Sequence, residues 1–309
     1  MYHRISRNFD RFRWLRSDGS PNFSQRISRK QGDARILAKP LKEIYSPNIS
    51  ILKVFEILYR EKLYVLPLVK TGVRVDSAIS IRDLISLLGG PFTSLITVKH
   101  KGDFIGAVNR EPARAIARRD IAVVEETSDI REIIETLVLS DSGYVLVINS
   151  RQEVVGVITE RDIINFLKEK ITGVRVRDVM SSNIISVAYQ NKICEIIREM
   201  NMLSVRRFPV LREDGSLAGV IRARDIIDFI GSHEVFKYLH SGSYEEFCRI
   251  PVDILIREAS VISEEDDIGE ASEKMIREDT DYFIVASGGE IKGIVTERDI
   301  VYGLAVLAK

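Results

Sequence analysis

The chain has 309 residues, a length that suggests roughly two domains of about 150 residues, and 45% of them are hydrophobic, enough for an ordinary buried core. Lys+Arg and Asp+Glu each total 45, which excludes a chain that binds polyanions over its whole surface by net charge. No apolar run approaches the ~18 residues of a membrane span. Two cysteines, Cys194 and Cys248, are too few for a disulfide scaffold, and no CxxC metal spacing occurs. Each lies in an apolar-periodic stretch, so both read as reduced thiols in a cytoplasmic protein.

The overall neutrality hides an asymmetry. Residues 1–39 hold ten basic side chains, from Arg4 to Lys39, against Asp10, Asp18 and Asp33; the other 270 residues carry 35 basic and 42 acidic ones. Arginines alternate with Tyr2, Phe9, Phe12 and Trp14, a composition able to bind single-stranded nucleic acid by charge and stacking. It suits equally a clamp on a partner protein or on the acidic body. No hydrophobic segment follows these arginines, so a secretory signal is not expected, and the three acids argue against a transit peptide. We assign residues 1–35 to this basic aromatic arm.

Beyond the arm, one octapeptide recurs. Ser77-Ala-Ile-Ser-Ile-Arg-Asp-Leu84 is a degenerate first copy, followed by Gly156-Val-Ile-Thr-Glu-Arg-Asp-Ile163, Gly219-Val-Ile-Arg-Ala-Arg-Asp-Ile226 and Gly293-Ile-Val-Thr-Glu-Arg-Asp-Ile300. Its aspartates are 79, 63 and 74 residues apart. Four repeats follow, at 36–90, 113–170, 174–231 and 244–306. Residues 91–112 form an inserted segment in which Leu95–Val98 and Phe104–Val108 predict an extra hairpin. The second repeat predicts a hairpin of Val145–Ile148 with Val154–Ile158. The third shows the whole unit: the β-branched run Ile184–Val187, a helix with apolar Ile193, Ile196, Ile197 and Met200 at helical spacing, strands Phe208–Leu211 and Leu217–Ile221 about a turn at Glu213-Asp214-Gly215, then a closing helix over Asp225–Ile230. The fourth repeats the hairpin as Phe283–Val285 with Ile291–Val295. Each unit thus reads strand, helix, strand, strand, helix. A unit of under about 60 residues buries too little surface to be stable alone, so back-to-back pairing is expected.

The grammar resembles the cystathionine-β-synthase-type (CBS) module over about 270 of the 309 residues. The carrying motifs are Arg177-Asp178-Val179-Met180-Ser181, Arg207-Phe208-Pro209-Val210 and the Gly-x-x-Thr-x-x-Asp ending; the leader Ile27–Asp33 looks like the opening of archaeal CBS-pair proteins. Four units in one chain resemble the gamma subunit of AMP-activated protein kinase. The resemblance implies an α/β (α+β) fold of four β-α-β-β-α CBS repeats in two tandem pairs forming a flat disc, with AMP, ADP or ATP in clefts between repeats. It also admits a homodimer.

The repeated ending supplies the chemistry. A Gly-ended strand delivers Thr to a helix start, and Asp follows three residues later. The carboxylate can accept ribose hydroxyls, while the Thr hydroxyl and helix N–H groups suit phosphate. The same Thr-x-x-Asp is also a capping box, worth about 0.5–2 kcal/mol of helix stability. Repeats two and four keep both residues, Thr159 with Asp162 and Thr296 with Asp299. Repeat one has Ser80 with Asp83. Repeat three has Arg222 before Asp225, an arginine that either reaches phosphate or fills the site. Arg206 and Arg207 match a basic pair in the kinase subunit and suit bidentate phosphate contact, or else sit on a solvated edge; Tyr64-Val65, Gly143-Tyr144 and Asp281-Tyr282 offer no such charge. We therefore expect the strongest phosphate site near Arg206, Arg207 and Asp225. Arg161, Arg224 and Arg298, inside the repeated motif, are secondary phosphate candidates, though second residues of a helix more often face solvent. By resemblance, adenine would lie on backbone around Asn183 and Ile185 for the site of Asp299, under Ile294 and Val295.

Catalysis is not expected. The four histidines make no metal spacing and no triad with either cysteine, and Ser287–Gly293 reads as a hairpin turn rather than a phosphate loop. No metal is expected. The reading is a regulatory module that binds adenine nucleotide and reports energy state to a protein partner. The alternatives are an interaction scaffold with decayed sites, or nucleic-acid binding through residues 1–39.

Overall fold

The computed structural model describes residues 32–41, 43–69, 74–168, 172–288 and 290–307. The basic arm therefore lies outside the described residues up to position 31, and with it most of the proposed nucleic-acid segment. In chain order the main elements are α1 (Asp33–Leu37), α2 (Ile51–Arg60), β1 (Val65–Val69), β2 (Val75–Ser80), α3 (Ile81–Gly89), α4 (Phe104–Arg110), β3 (Val123–Glu125), α5 (Ile130–Ser140), β4 (Tyr144–Ile148), β5 (Val154–Thr159) and α6 (Glu160–Leu167). The second half follows with α7 (Val176–Val179), β6 (Val187–Ala188), α8 (Ile193–Leu203), β7 (Arg207–Leu211), β8 (Leu217–Arg222), α9 (Ala223–Gly231), α10 (Tyr244–Arg249), β9 (Val261–Ile262), α11 (Ile268–Arg277), β10 (Tyr282–Ser287), β11 (Glu290–Thr296) and α12 (Glu297–Leu307).

Strand, helix, strand, strand, helix is the order in repeats two, three and four. In each, the middle strand lies parallel to the first and antiparallel to the third. The first repeat keeps the antiparallel hairpin β1–β2, and a single parallel bridge of Tyr45 with Leu68 stands in for its first strand. The strand expected over Ile184–Val187 is shorter and later, Val187–Ala188. Ser287 pairs with Glu290, so the Gly-rich stretch there is the hairpin turn expected of it.

Two compact units form, and each draws repeats from both halves of the chain. Of the described residues, unit 1 contains those within 43–120 and 185–258, the first and third repeats; unit 2 contains those within 32–41, 121–184 and 259–307, the second and fourth. In unit 1, α2 packs on α9 and α3 on α8, burying Phe55, Leu58, Leu84, Ile197, Ile226 and Ile230 in one apolar core. A Cβ on Gly231 would lie 2.4 Å from the carbonyl oxygen of Phe55, so the two helices touch backbone to backbone there.

Two expectations for unit 1 are corrected. Residues 95–108 are not a hairpin: Leu95–Lys99 is a π-helical turn and Phe104–Arg110 a helix. Phe104, Ala107 and Val108 are buried at helical spacing, and Asp103 caps the helix by accepting from the Gly106 amide at 2.7 Å. This segment has a counterpart before the fourth repeat. Phe104 stacks on Phe247 with ring centroids 4.7 Å apart, the Phe104 amide donates to Gly242, and the Tyr244 amide donates to Gly102. The second correction concerns the cysteines. Cys194 of α8 and Cys248 of α10 are joined in a disulfide across 54 residues of sequence. Spacing within one stretch does not reveal a partner that only the packing of α8 on α10 brings near, and reduced thiols no longer argue for a compartment.

Unit 2 buries Ile134, Val145, Ile158, Ile163, Phe283, Val295 and Ile300 in a second core. It is also held by two crossed arginines, a further correction, since these residues were expected to face solvent. Arg298, 5% exposed, donates from Nε to Glu160 at 2.6 Å and reaches the Asp141 carboxylate at the end of α5. In the opposite sense, Arg161 donates to the Thr280 carbonyl at 2.6 Å, to Glu297 at 2.9 Å and to Asp279 at 3.1 Å. Unit 1 has the related contact: Arg224 donates to the carbonyls of Leu58 and Leu63 and lies over the Tyr64 ring. The second residue of the closing helix thus reaches into the other repeat of its own unit. Burial lowers the pKa of Arg298, but Glu160, Tyr302 and Asp141 raise it further, and the net shift is upward. Glu297 is pushed up to about 8 by burial and by the Asp281 carboxylate, against the pull of Arg161.

Gly231→Ala should destabilise the protein by about 1–3 kcal/mol, because overpacking against the α2 backbone outweighs the better helix propensity of alanine; calorimetry reads this as a drop in Tm. Arg298→Met should cost about 3–5 kcal/mol by leaving Glu160 buried without its cation, whereas a loss below 1 kcal/mol would show that the crossed arginines do not hold unit 2. Folded Glu297 keeps a proton that the unfolded chain gives up at the ordinary carboxylate value. Its contribution to stability is therefore complete below that value and is lost as pH rises through about 8. Tm should fall between about pH 4.5 and pH 8 and level off above, and Glu297→Gln should flatten that fall; identical curves would exclude Glu297 as its source.

Candidate functional site

The four motif endings fold into four equivalent corners, each made by the last residue of a hairpin strand and the first turn of the helix behind it. In repeat one, the Ser80 amide and hydroxyl donate to Asp83 Oδ2 at 2.9 and 2.7 Å. In repeat two, Thr159 does the same to Asp162 at 2.8 and 2.7 Å, and in repeat four Thr296 to Asp299 at 2.9 and 2.7 Å. The capping box is therefore present. It engages one carboxylate oxygen, Oδ2, and turns the other, Oδ1, away from the helix.

What Oδ1 meets comes from elsewhere in the chain. Against the outer strand of each repeat lies the segment that leads into its tandem neighbour, paired at one equivalent position. Arg118 bridges Ala78 of β2, Lys39 bridges Val157 of β5, Arg257 bridges Val220 of β8, and Ser181 bridges Ile294 of β11. Each pair is closed by backbone hydrogen bonds in both directions at 2.8–3.0 Å. Within unit 1 the segments leading into repeats two and four thus lie on repeats one and three, and within unit 2 those leading into repeats one and three lie on repeats two and four. The bridging residue also points its side chain at the corner. Arg118 Nε lies 2.5 Å from Asp83 Oδ1, and Lys39 Nζ lies 2.8 Å from Asp162 Oδ1. Arg257 Nε lies 3.4 Å from Asp225 Oδ1. At the fourth corner the position is Ser181, without charge.

This crossing explains why the motif opens with glycine. A Cβ on Gly156 would stand 2.7 Å from the Lys39 carbonyl oxygen, one on Gly219 2.2 Å from that of Arg257, and one on Gly293 2.8 Å from that of Ser181. The octapeptide is as much a docking groove for a crossing backbone as a helix start. In the degenerate first copy Ser77 holds the place, buried, and the bridge at Ala78 persists.

The third corner departs from the rest. Arg222 donates to Asp225 from its amide and Nε at 3.0 Å and from Nη2 at 2.8 Å, so both carboxylate oxygens are held by the residue that replaces threonine. Arg207 opens β7 directly across from Arg222, and the Arg206 carbonyl accepts from the Ala223 amide at 2.7 Å. Arg206, Arg207, Arg222 and Arg257 thus gather about one hairpin end. Asn183 lies two residues beyond Ser181 on the leader of the fourth corner and is exposed, whereas Ile185 belongs to unit 1. Val295 is buried and Ile294 partly so. Sequence reasoning did not single out Arg118 or Arg257 and placed Lys39 only in the arm. The signal that finds them is the shared place of Lys39, Arg118 and Arg257 ahead of three of the four repeats, with Ser181 ahead of the remaining one.

Among the described residues no cluster of His, Cys, Asp and Glu can hold a metal ion, and no helix is long and apolar enough to cross a membrane.

The sequence matches the CBS domain family over residues 113–169, 176–232 and 252–306, together more than half of the chain. MJ1225 of Methanocaldococcus jannaschii is 30% identical over 260 residues, spanning 82% of this chain and 92% of that protein. A 33.4 kDa protein of a Thermofilum pendens ribosomal RNA operon is 28% identical over 254 residues, spanning 81% and 84%. The crystal structure of MJ1225, described as a candidate archaeal homologue of g-AMPK, superposes with a TM-score of 0.80 at 28% identity, over 86% of this chain and 98% of that one. A conserved protein of Pyrococcus horikoshii shares the fold, with a TM-score of 0.56 at 15% identity over 89% of this chain and 97% of that one. Three family matches, a fourth repeat of the same hairpin and corner, and a relative aligned along nearly its whole length make this chain a member of the CBS-domain family.

Proposed function

We propose that the chain is a non-catalytic regulatory module whose corners bind AMP, ADP or ATP and whose nucleotide-dependent state is read by a protein partner. The observation that carries this reading is the recurrence, at the first, second and fourth corners, of a carboxylate with Oδ2 fixed by its own strand–helix turn, its Oδ1 turned at the first two to the leader cation. Asp83 and Asp162 are buried at 0% and 6% exposure. A buried carboxylate that served the cap alone would need no outward acceptor, whereas a ribose diol requires one. The similarity to MJ1225, itself described as a candidate homologue of g-AMPK, points the same way.

The geometry divides the work among the corners. Asp83, Asp162 and Asp299, with Ser80, Thr159 and Thr296, are the ribose-binding candidates. At the third corner Asp225 is occupied by Arg222, so the arginines, including Arg206 and Arg207, are the groups offered to phosphate. We keep Asn183 and Ile185 as the adenine-facing backbone. A non-catalytic reading is consistent with two of the described histidines, which hydrogen-bond carboxylates outside the corners: His100 with Glu111 at 2.6 Å and His233 with Glu56 at 2.9 Å. Regulation requires that nucleotide favour one state of the module over another.

Isothermal titration of the folded, nucleotide-free chain with AMP, ADP, ATP and S-adenosylmethionine tests the proposal. Adenine nucleotides should bind in the micromolar range, about −8 kcal/mol. Asp162→Ala and Asp299→Ala should each remove a site or weaken it at least tenfold, and Asp225→Ala should do so less. Each variant also loses a cap worth about 0.5–2 kcal/mol, so Tm is measured alongside. Heat from none of the four ligands would replace this reading with that of an interaction scaffold.

A further inference from the structure

We propose that Lys39 and Arg118 are exchangeable counter-ions that make the first two corners select for phosphate charge; this rests on the nucleotide reading of the corners. Each carboxylate is buried and, with Oδ2 committed to the strand–helix turn, keeps Oδ1 for one strong partner. That partner is the leader cation. Both cations are delivered by backbone pairing, yet their side chains are 64% and 51% exposed. The backbone position is therefore fixed while the charged tip is free to move. An ion pair with one exposed partner is weak and readily exchanged, and a long basic stem keeps its charge in reach of neighbouring anions as it moves.

A ribose diol needs the same Oδ1. Its arrival displaces the cation from the buried carboxylate that it holds among the described residues. A nucleoside offers nothing in return, so it must leave the cation uncompensated. A nucleotide brings a phosphate on the same sugar, and the displaced ammonium or guanidinium pairs with it. Charge is balanced before and after binding only for the phosphorylated ligand. The fourth corner supplies the internal contrast, since Ser181 occupies the same bridging position and carries no charge to exchange. The leader position thus sets how strongly a corner distinguishes a nucleotide from its nucleoside.

The test compares AMP with adenosine on the full chain by calorimetric titration. An Asp225→Asn/Asp299→Asn background leaves the first two corners to report. Adding Lys39→Met and Arg118→Met should weaken AMP about tenfold and leave adenosine unchanged or tighter, so that the ratio of their dissociation constants falls at least tenfold. The converse variant, Ser181→Arg with Asp→Asn at positions 83, 162 and 225, should raise that ratio severalfold over the same background with Ser181. Weakening of both ligands by equal factors, or an unchanged ratio with both bound, would overturn the exchange while leaving the nucleotide reading intact. Failure of the unsubstituted chain to bind either ligand would overturn both.

Discussion

The crossing of each leader segment over its neighbouring repeat is the contact on which the rest of the structure depends. It is made by backbone hydrogen bonds in both directions, at 2.8–3.0 Å, over a strand whose side chain has been removed or kept small at the point of closest approach. Because the interaction is main-chain, it fixes position without fixing side-chain identity. The bridging residue is free to be Lys39, Arg118, Arg257 or Ser181. A repeated fold can therefore present four geometrically equivalent corners, three with a basic leader residue and one with a neutral serine, and functional difference costs nothing in architecture.

A second constraint works within each compact unit. A repeat of this size leaves one helical face apolar and cannot bury it alone. Pairing the first repeat with the third and the second with the fourth solves this, through α2 on α9 in unit 1 and through α12 with α6 in unit 2. The apolar surface supplies the driving force but little registration. In unit 2 registration comes from Arg161 and Arg298, which cross in opposite directions to acceptors on the other repeat. A desolvated guanidinium without its acceptors is costly, so a slipped packing of the two repeats is disfavoured. The arginine of the motif thus serves packing, while the aspartate one residue later serves the corner.

Four corners carried on one frame give a graded device. At the first, second and fourth corners the hairpin end fixes one carboxylate oxygen, and at the first two the leader cation meets the other. Where the threonine position holds arginine, the same frame becomes a cationic end with its carboxylate already spoken for. Such drift is permitted because the capping geometry survives it: the Arg222 amide still donates to Asp225 at 3.0 Å. Fold stability and ligand chemistry are therefore separable at a corner, and a repeat can lose or change its ligand without losing its shape.

The sequence alone determined the repeat, its strand–helix–strand–strand–helix order, the hairpins and the Thr-x-x-Asp corners, because these are local. Period-two and helical patterns and a helix start are written in residues a few positions apart. It misread Leu95–Val108 as a hairpin because short apolar runs are ambiguous until their burial is known, and Phe104, Ala107 and Val108 share a face only once Phe247 is there to meet them. The pairing of Cys194 with Cys248, the burial of Arg298 and the approach of Arg118 and Lys39 to the corners all join residues at least 35 apart in the chain. Those contacts are set by how whole repeats dock and by which backbone passes over which glycine. No local pattern carries that information, and the tertiary structure alone decides it.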